Sequence, residues 1–245
     1  VYVALAMTIT EYLLLPGAVL SLFPDLSRRL APGVVYGAWG LAPAGTEAPW
    51  WGALWPFAWW SLGMFLFWVL IPLGIARWQG YRPGDLGLRL AGAAGKWPLY
   101  LAMLAIVTPF VIWAGTRDSF TSMYPFLRPQ VAQHWCWALL LGYWALYALQ
   151  FFSVEFFFRG WMLFSLERRF QLGAIWVMVV PYCMVHFHKP LPEALGSIIA
   201  GTALGYVAMR TRSIWGGWCV HVCVALGMDV LSLARGGNFP NQLWP

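Results

Sequence analysis

The chain has 245 residues, of which 61% are hydrophobic and only 10% charged, a mix that excludes an ordinary soluble domain. A formal net charge of +6 would suggest nucleic acid in a soluble chain, but the basic residues are spread over loops and helix ends. They read instead as topology signals and anionic-lipid contacts, which leaves the lipid bilayer as a partner and no nucleic acid.

Taken in chain order, apolar runs fall near 1–23, 53–76, 97–115, 134–158, 172–187, 193–209 and 213–234, most of them close to the roughly 20 residues that cross a bilayer. The expected fold is all-α, a polytopic membrane helical bundle of about seven transmembrane helices around an intramembrane polar cavity. The first run contains Glu11 and lacks a basic start and a small-residue cleavage site, so it is expected to be a first helix trimmed at its N-terminus, not a signal peptide. Trp50, Trp51, Trp55, Trp59 and Trp60 suit an interfacial aromatic belt. The stretches 24–52 and 116–133, rich in Pro, Gly and aromatics, are expected to form interfacial hairpins or partial lids. The short runs 172–187 and 193–209 are tolerable if they line a cavity.

Loop charge favours a cytoplasmic N-terminus. The even loops hold Arg77, Arg82, Arg89, Lys96, Arg168, Arg169, Arg210 and Arg212, against Arg28, Arg29, Arg117, Arg128, Lys189 and Arg235 on the other side, a bias in the positive-inside sense. The expected setting is an integral multi-pass protein of the bacterial inner membrane. Residues 1–133 are read as N-terminal transmembrane helices and interfacial loops, and 134–245 as the helical core that carries the candidate site.

Ionisable residues at membrane depth are costly and turn inward to a partner or a wet cavity. Glu155 and Arg159 stand four apart among phenylalanines, so on a helix they share a face; taken alone, the pair is equally a structural tie between helices. His186 and His188 end the run that follows Pro181. Two residues apart they cannot face the same way on a regular helix; His186, deeper in the run, has the stronger claim, and His188 beside Lys189 fits membrane-surface chemistry. In 190–205, Pro192 starts a helix, Glu193 complements its positive end, and Gly201 and Gly205 admit a close neighbour. His221 and Asp229 share the last run, about 12 Å apart along a helix and about 80° round it, able to line one cavity without touching. Cys136, Cys183, Cys219 and Cys223 lack CxxC spacing and read as packing residues, with no disulfide framework or thiolate metal site.

Glu155-x-x-x-Arg159-Gly160, Tyr182-x-x-x-His186 and the intramembrane His221, in that order across three apolar runs, resemble the CAAX-protease and bacteriocin-processing (CPBP) family of intramembrane endopeptidases. The resemblance covers about residues 150–230, with Leu86-Gly87-Leu88-Arg89 as a low-information addition. The family pattern is Glu-Glu-x-x-x-Arg, Phe-x-x-x-His and His-x-x-x-Asn/Asp. Here Val154 stands at the first glutamate and Ala225 at the last position. Members cut prenylated CAAX proteins, leader peptides or the C-terminal sorting tails of surface proteins, the last being the myxosortase type, and the resemblance leaves the type open.

The resemblance implies hydrolysis of a peptide bond in a membrane-anchored protein or peptide without a cofactor. Glu155, restrained by Arg159, would activate a water also held by His186; His221 would donate to the developing oxyanion, with Asp229 orienting it or bounding the pocket. Tyr182 and His188 are supporting candidates. Two alternatives stay open: a non-catalytic immunity or scaffold protein on the same fold, and a zinc-dependent variant drawing on His186, His188, His221 and Glu155, for which the His-Glu-x-x-His spacing is absent.

Overall fold

Apolar runs with few charges satisfy their backbone internally as helices, and all seven do so here. A computed structural model describes residues 1–25, 36–37, 40–41, 49–129, 132 and 134–245. In chain order the helices are α1 (Tyr2–Leu14), α2 (Pro16–Leu22), α3 (Gly52–Trp78), α4 (Trp97–Gly115), α5 (Asp118–Thr121), α6 (Trp137–Phe170), α7 (Gly173–Met184), α8 (Leu191–Thr211) and α9 (Trp215–Gly236). Among the described residues five of these, α3, α4, α6, α8 and α9, are long and apolar enough to cross a membrane; α1 and α7 are shorter apolar helices. A small antiparallel pairing of β1 (Tyr36–Gly37) with β2 (Gly40–Leu41) sets Tyr36 opposite Leu41.

The run 1–23 is broken where a single helix was expected. Leu15 is extended, at φ −54° and ψ 147°, because the ring of Pro16 disfavours the helical region for the residue before it. Most of the expected 24–52 hairpin, Arg28 and Arg29 included, and residues 130, 131 and 133 of the 116–133 stretch lie outside the described residues.

The chain forms two compact units, one of Val1–Phe67, Thr121–Gln150 and Leu226–Pro245, the other of Trp68–Phe120 and Phe151–Ala225. They interleave along the sequence. In the first unit Trp60 is core, not belt: it is 5% exposed and packs on Phe126 and Tyr147 at centroid distances of 6.1 and 6.2 Å. Trp59, by contrast, is part-exposed and donates from Nε1 to the Leu13 carbonyl at 2.8 Å.

In the second unit Trp68 packs on Phe157 and Phe158 at 4.7 and 5.4 Å. The turn at Leu86–Leu88 docks on α6 because Gly160 offers no side chain: a Cβ there would lie 2.8 Å from the Leu86 carbonyl oxygen. Gly87 takes φ +79°, a conformation natural to glycine, and its carbonyl accepts from the Ile214 N–H at 3.0 Å. Leu88 bridges Ser213, Arg168 lies over the Tyr81 ring at 4.6 Å, and Arg212 pairs with Glu167. Three connections read as lying on one side of the membrane are thus gathered together.

Candidate active site

Glu155 ends the α-helical part of α6, and a π-helical stretch follows over Phe156–Met162. Such a bulge re-aims the side chains of a long helix and recurs at functional sites. Here the stretch buries Phe156, Phe157, Phe158 and Arg159 together. The Arg159 Nη1 donates to Glu155 Oε1 at 2.9 Å, with the two side chains 0% and 1% exposed.

The same carboxylate oxygen meets His221 Nδ1 at 2.8 Å, a contact between residues on α6 and α9. This bond orients the imidazole so that Nε2 points away from the carboxylate. Phe151 packs on the ring at 4.3 Å. Glu155 Oε2 accepts no hydrogen bond from a described residue, and the space beside it is kept by Gly217, whose added Cβ would stand 3.1 Å away.

Tyr182 lies at the centre of the remaining contacts. The Arg159 guanidinium carbon lies 3.8 Å from its ring centroid, within the range of a cation–π contact. His186 and His221 approach the same ring at 4.9 and 6.4 Å. Because α7 ends at Met184, His186 sits in the turn beyond it, where its Nδ1 donates to the Tyr182 carbonyl at 3.0 Å and Nε2 is the atom left to work. Tyr182 itself packs against Gly201 of α8, where an added Cβ would come within 2.8 Å of Cδ1.

The structure thus brings Glu155, Arg159, Tyr182, His186 and His221 together. His188, two residues beyond His186, is exposed. Asp229 belongs to the other unit, where it is fully buried and accepts from Trp144 Nε1 at 3.1 Å. Within its own unit, the His221 Nδ1 is bonded to Glu155. Val154 and Ala225, at the two positions that depart from the family pattern, are each 4% exposed. Of the cysteines, Cys136 is buried and Cys183 partly so, but Cys219 and Cys223 are exposed and do not pack as expected.

Among the described residues no group of three or more His, Cys, Asp or Glu side chains is placed to hold a metal ion.

Sequence reading missed the part played by Gly217, the π-helical stretch, and the docking of Leu86 on Gly160. The Gly216-Gly217 pair inside an apolar run was the available signal, since small residues in such helices mark close approach.

Residues 135–227 match the family model for Type II CAAX prenyl endopeptidase Rce1-like. Over this segment the chain is similar to that endopeptidase family, as the CPBP resemblance implied. The matched segment contains all five clustered residues and leaves out Asp229. No curated protein and no solved structure matches the chain.

Proposed function

We propose that the protein is an intramembrane endopeptidase that hydrolyses a peptide bond of a membrane-anchored protein or peptide. The observation that carries this reading is the 2.8 Å contact of His221 Nδ1 with the buried Glu155 carboxylate, inside a segment matched by an endopeptidase family. A carboxylate behind an imidazole fixes its tautomer and stabilises the imidazolium formed when the other nitrogen takes a proton. His221 Nε2 then deprotonates the attacking water, and Glu155 is its positioning partner. His186, whose Nδ1 is committed to a backbone carbonyl, offers Nε2 to hold that water. Arg159 pairs with the Glu155 carboxylate at 2.9 Å and holds it in place against His221.

A second reading is favoured by Glu155 Oε2, which receives no hydrogen bond from a described residue: there the carboxylate itself is the base, and His221 assists at the oxyanion. Comparing His221→Gln with Glu155→Gln separates the two. The true base gives the deeper loss, down to background, while an oxyanion donor costs about 10²–10³ in kcat.

The overall reading is tested in cells of the native host carrying the wild-type or Glu155→Gln chain at equal abundance, with mass spectrometry of newly formed termini among membrane proteins. Termini present only with the wild type are expected. An identical set in both cells would favour the scaffold alternative.

A further inference from the structure

A groove of about 680 Å³ runs between α7 and α8, away from the site just described. Leu172, Ile175 and Trp176 form one wall, and Ile198, Ile199 and Thr202 the beginning of the other. Trp176 and Ile199 are 62% and 75% exposed, so the groove opens outward from two apolar helices, towards hydrocarbon. One row of its α8 wall, Ile198, Thr202 and Tyr206, recurs at four-residue spacing and so shares a face.

The next residue in that row is Arg210. Its Nε donates to the Tyr206 hydroxyl at 3.0 Å, which ties the guanidinium to the end of the groove. No carboxylate among the described residues pairs with it; Glu167 pairs with Arg212. Arg169, three residues before Leu172, is exposed and likewise has no acidic partner among the described residues. The apolar channel therefore ends at the Arg210 guanidinium, with the Arg169 cation three residues along the chain from its Leu172 wall.

Twelve residues from Ile198 to Arg210 span about 18 Å of helix, close to one leaflet of a hydrocarbon core about 30 Å thick. Charge and length together describe one occupant. We propose that this groove binds a single anionic phospholipid, one acyl chain lying along α7 and α8 and the phosphate held by Arg210 with Arg169. The site stands on the membrane reading of the helices and is independent of the proposed peptidase chemistry.

The full chain in detergent, titrated with phosphatidylglycerol or with phosphatidylcholine of the same acyl chains, is read by native mass spectrometry. Wild type is expected to retain the anionic lipid at least tenfold better. The double variant Arg169→Gln/Arg210→Gln, altered only at exposed positions, is expected to fall to near parity, and Thr202→Trp, which fills the groove, to lose both lipids. Arg235→Gln, at a basic position that does not line the groove, should retain the preference. Equal retention of the two lipids by wild type, or a preference that survives the double variant, overturns the site. So does an equal loss with Arg235→Gln, which would mark general charge attraction.

Discussion

At the scale of single residues, Arg159 carries the heaviest electrostatic burden. A carboxylate as buried as Glu155 is tolerable only while its partners persist, and breaking a buried pair by removing one member costs about 3–5 kcal/mol because the other charge is left uncompensated. Arg159→Ala is therefore expected to destabilise the protein by about that amount, measured as a lowered midpoint in denaturant titration of the detergent-solubilised chain. Arg159→Lys separates charge from shape: an ammonium can still face Glu155, but it loses the planar stack on Tyr182. It should recover part of the stability, and full recovery would show that the stack at 3.8 Å contributes nothing. The pairing of Glu155 with Arg159 was legible from four-residue spacing. Its pairing with His221 was not, because helical periodicity relates residues within one element and says nothing about a contact 66 positions away.

At the scale of elements, the glycines set how closely helices meet, and their consequences differ. Gly160 faces backbone, the Leu86 carbonyl oxygen, which cannot swing aside as a side chain can. Gly160→Ala is expected to cost about 1–3 kcal/mol through overpacking, even though alanine favours the helix by about 1 kcal/mol. A stability unchanged or raised in thermal unfolding would mean that the turn at Leu86–Leu88 moves freely. Gly201 faces the Tyr182 ring, already covered by Arg159, and the carbonyl of Tyr182 holds His186. Gly201→Ala should thus lower turnover tenfold or more while shifting the unfolding temperature little. The presence and approximate ends of the helices were readable because hydropathy and proline positions act locally. The π-helical stretch after Glu155 was not readable: it coincides with the burial of Phe156, Phe157 and Phe158 together, which no local propensity announces.

At the scale of the whole molecule, the arginines set orientation. Segments around Arg82, Arg168 and Arg212 meet through Tyr81, Glu167 and the Leu88–Ser213 bridge, as they must if alternate loops share one side of the membrane. Lys189 lies at the far end of both α7 and α8, next to His186, and pairs with Glu193 at 3.1 Å. In a background with all four cysteines replaced by serine, Arg82→Cys and Arg169→Cys are expected to react with an impermeant maleimide from the cytoplasmic face, and Lys189→Cys only from the opposite face. Labelling of all three from one face would require α7 and α8 to form a re-entrant pair, not two crossings. That outcome is physically sensible for α7, which at Gly173–Met184 is shorter than a bilayer needs, so the experiment decides how His186 gains access to water. If α7 crosses, the membrane must thin around it or the turn holding His186 must lie below the surface. A peptide would then have to enter the site sideways from lipid, between helices, before either imidazole could meet its scissile bond.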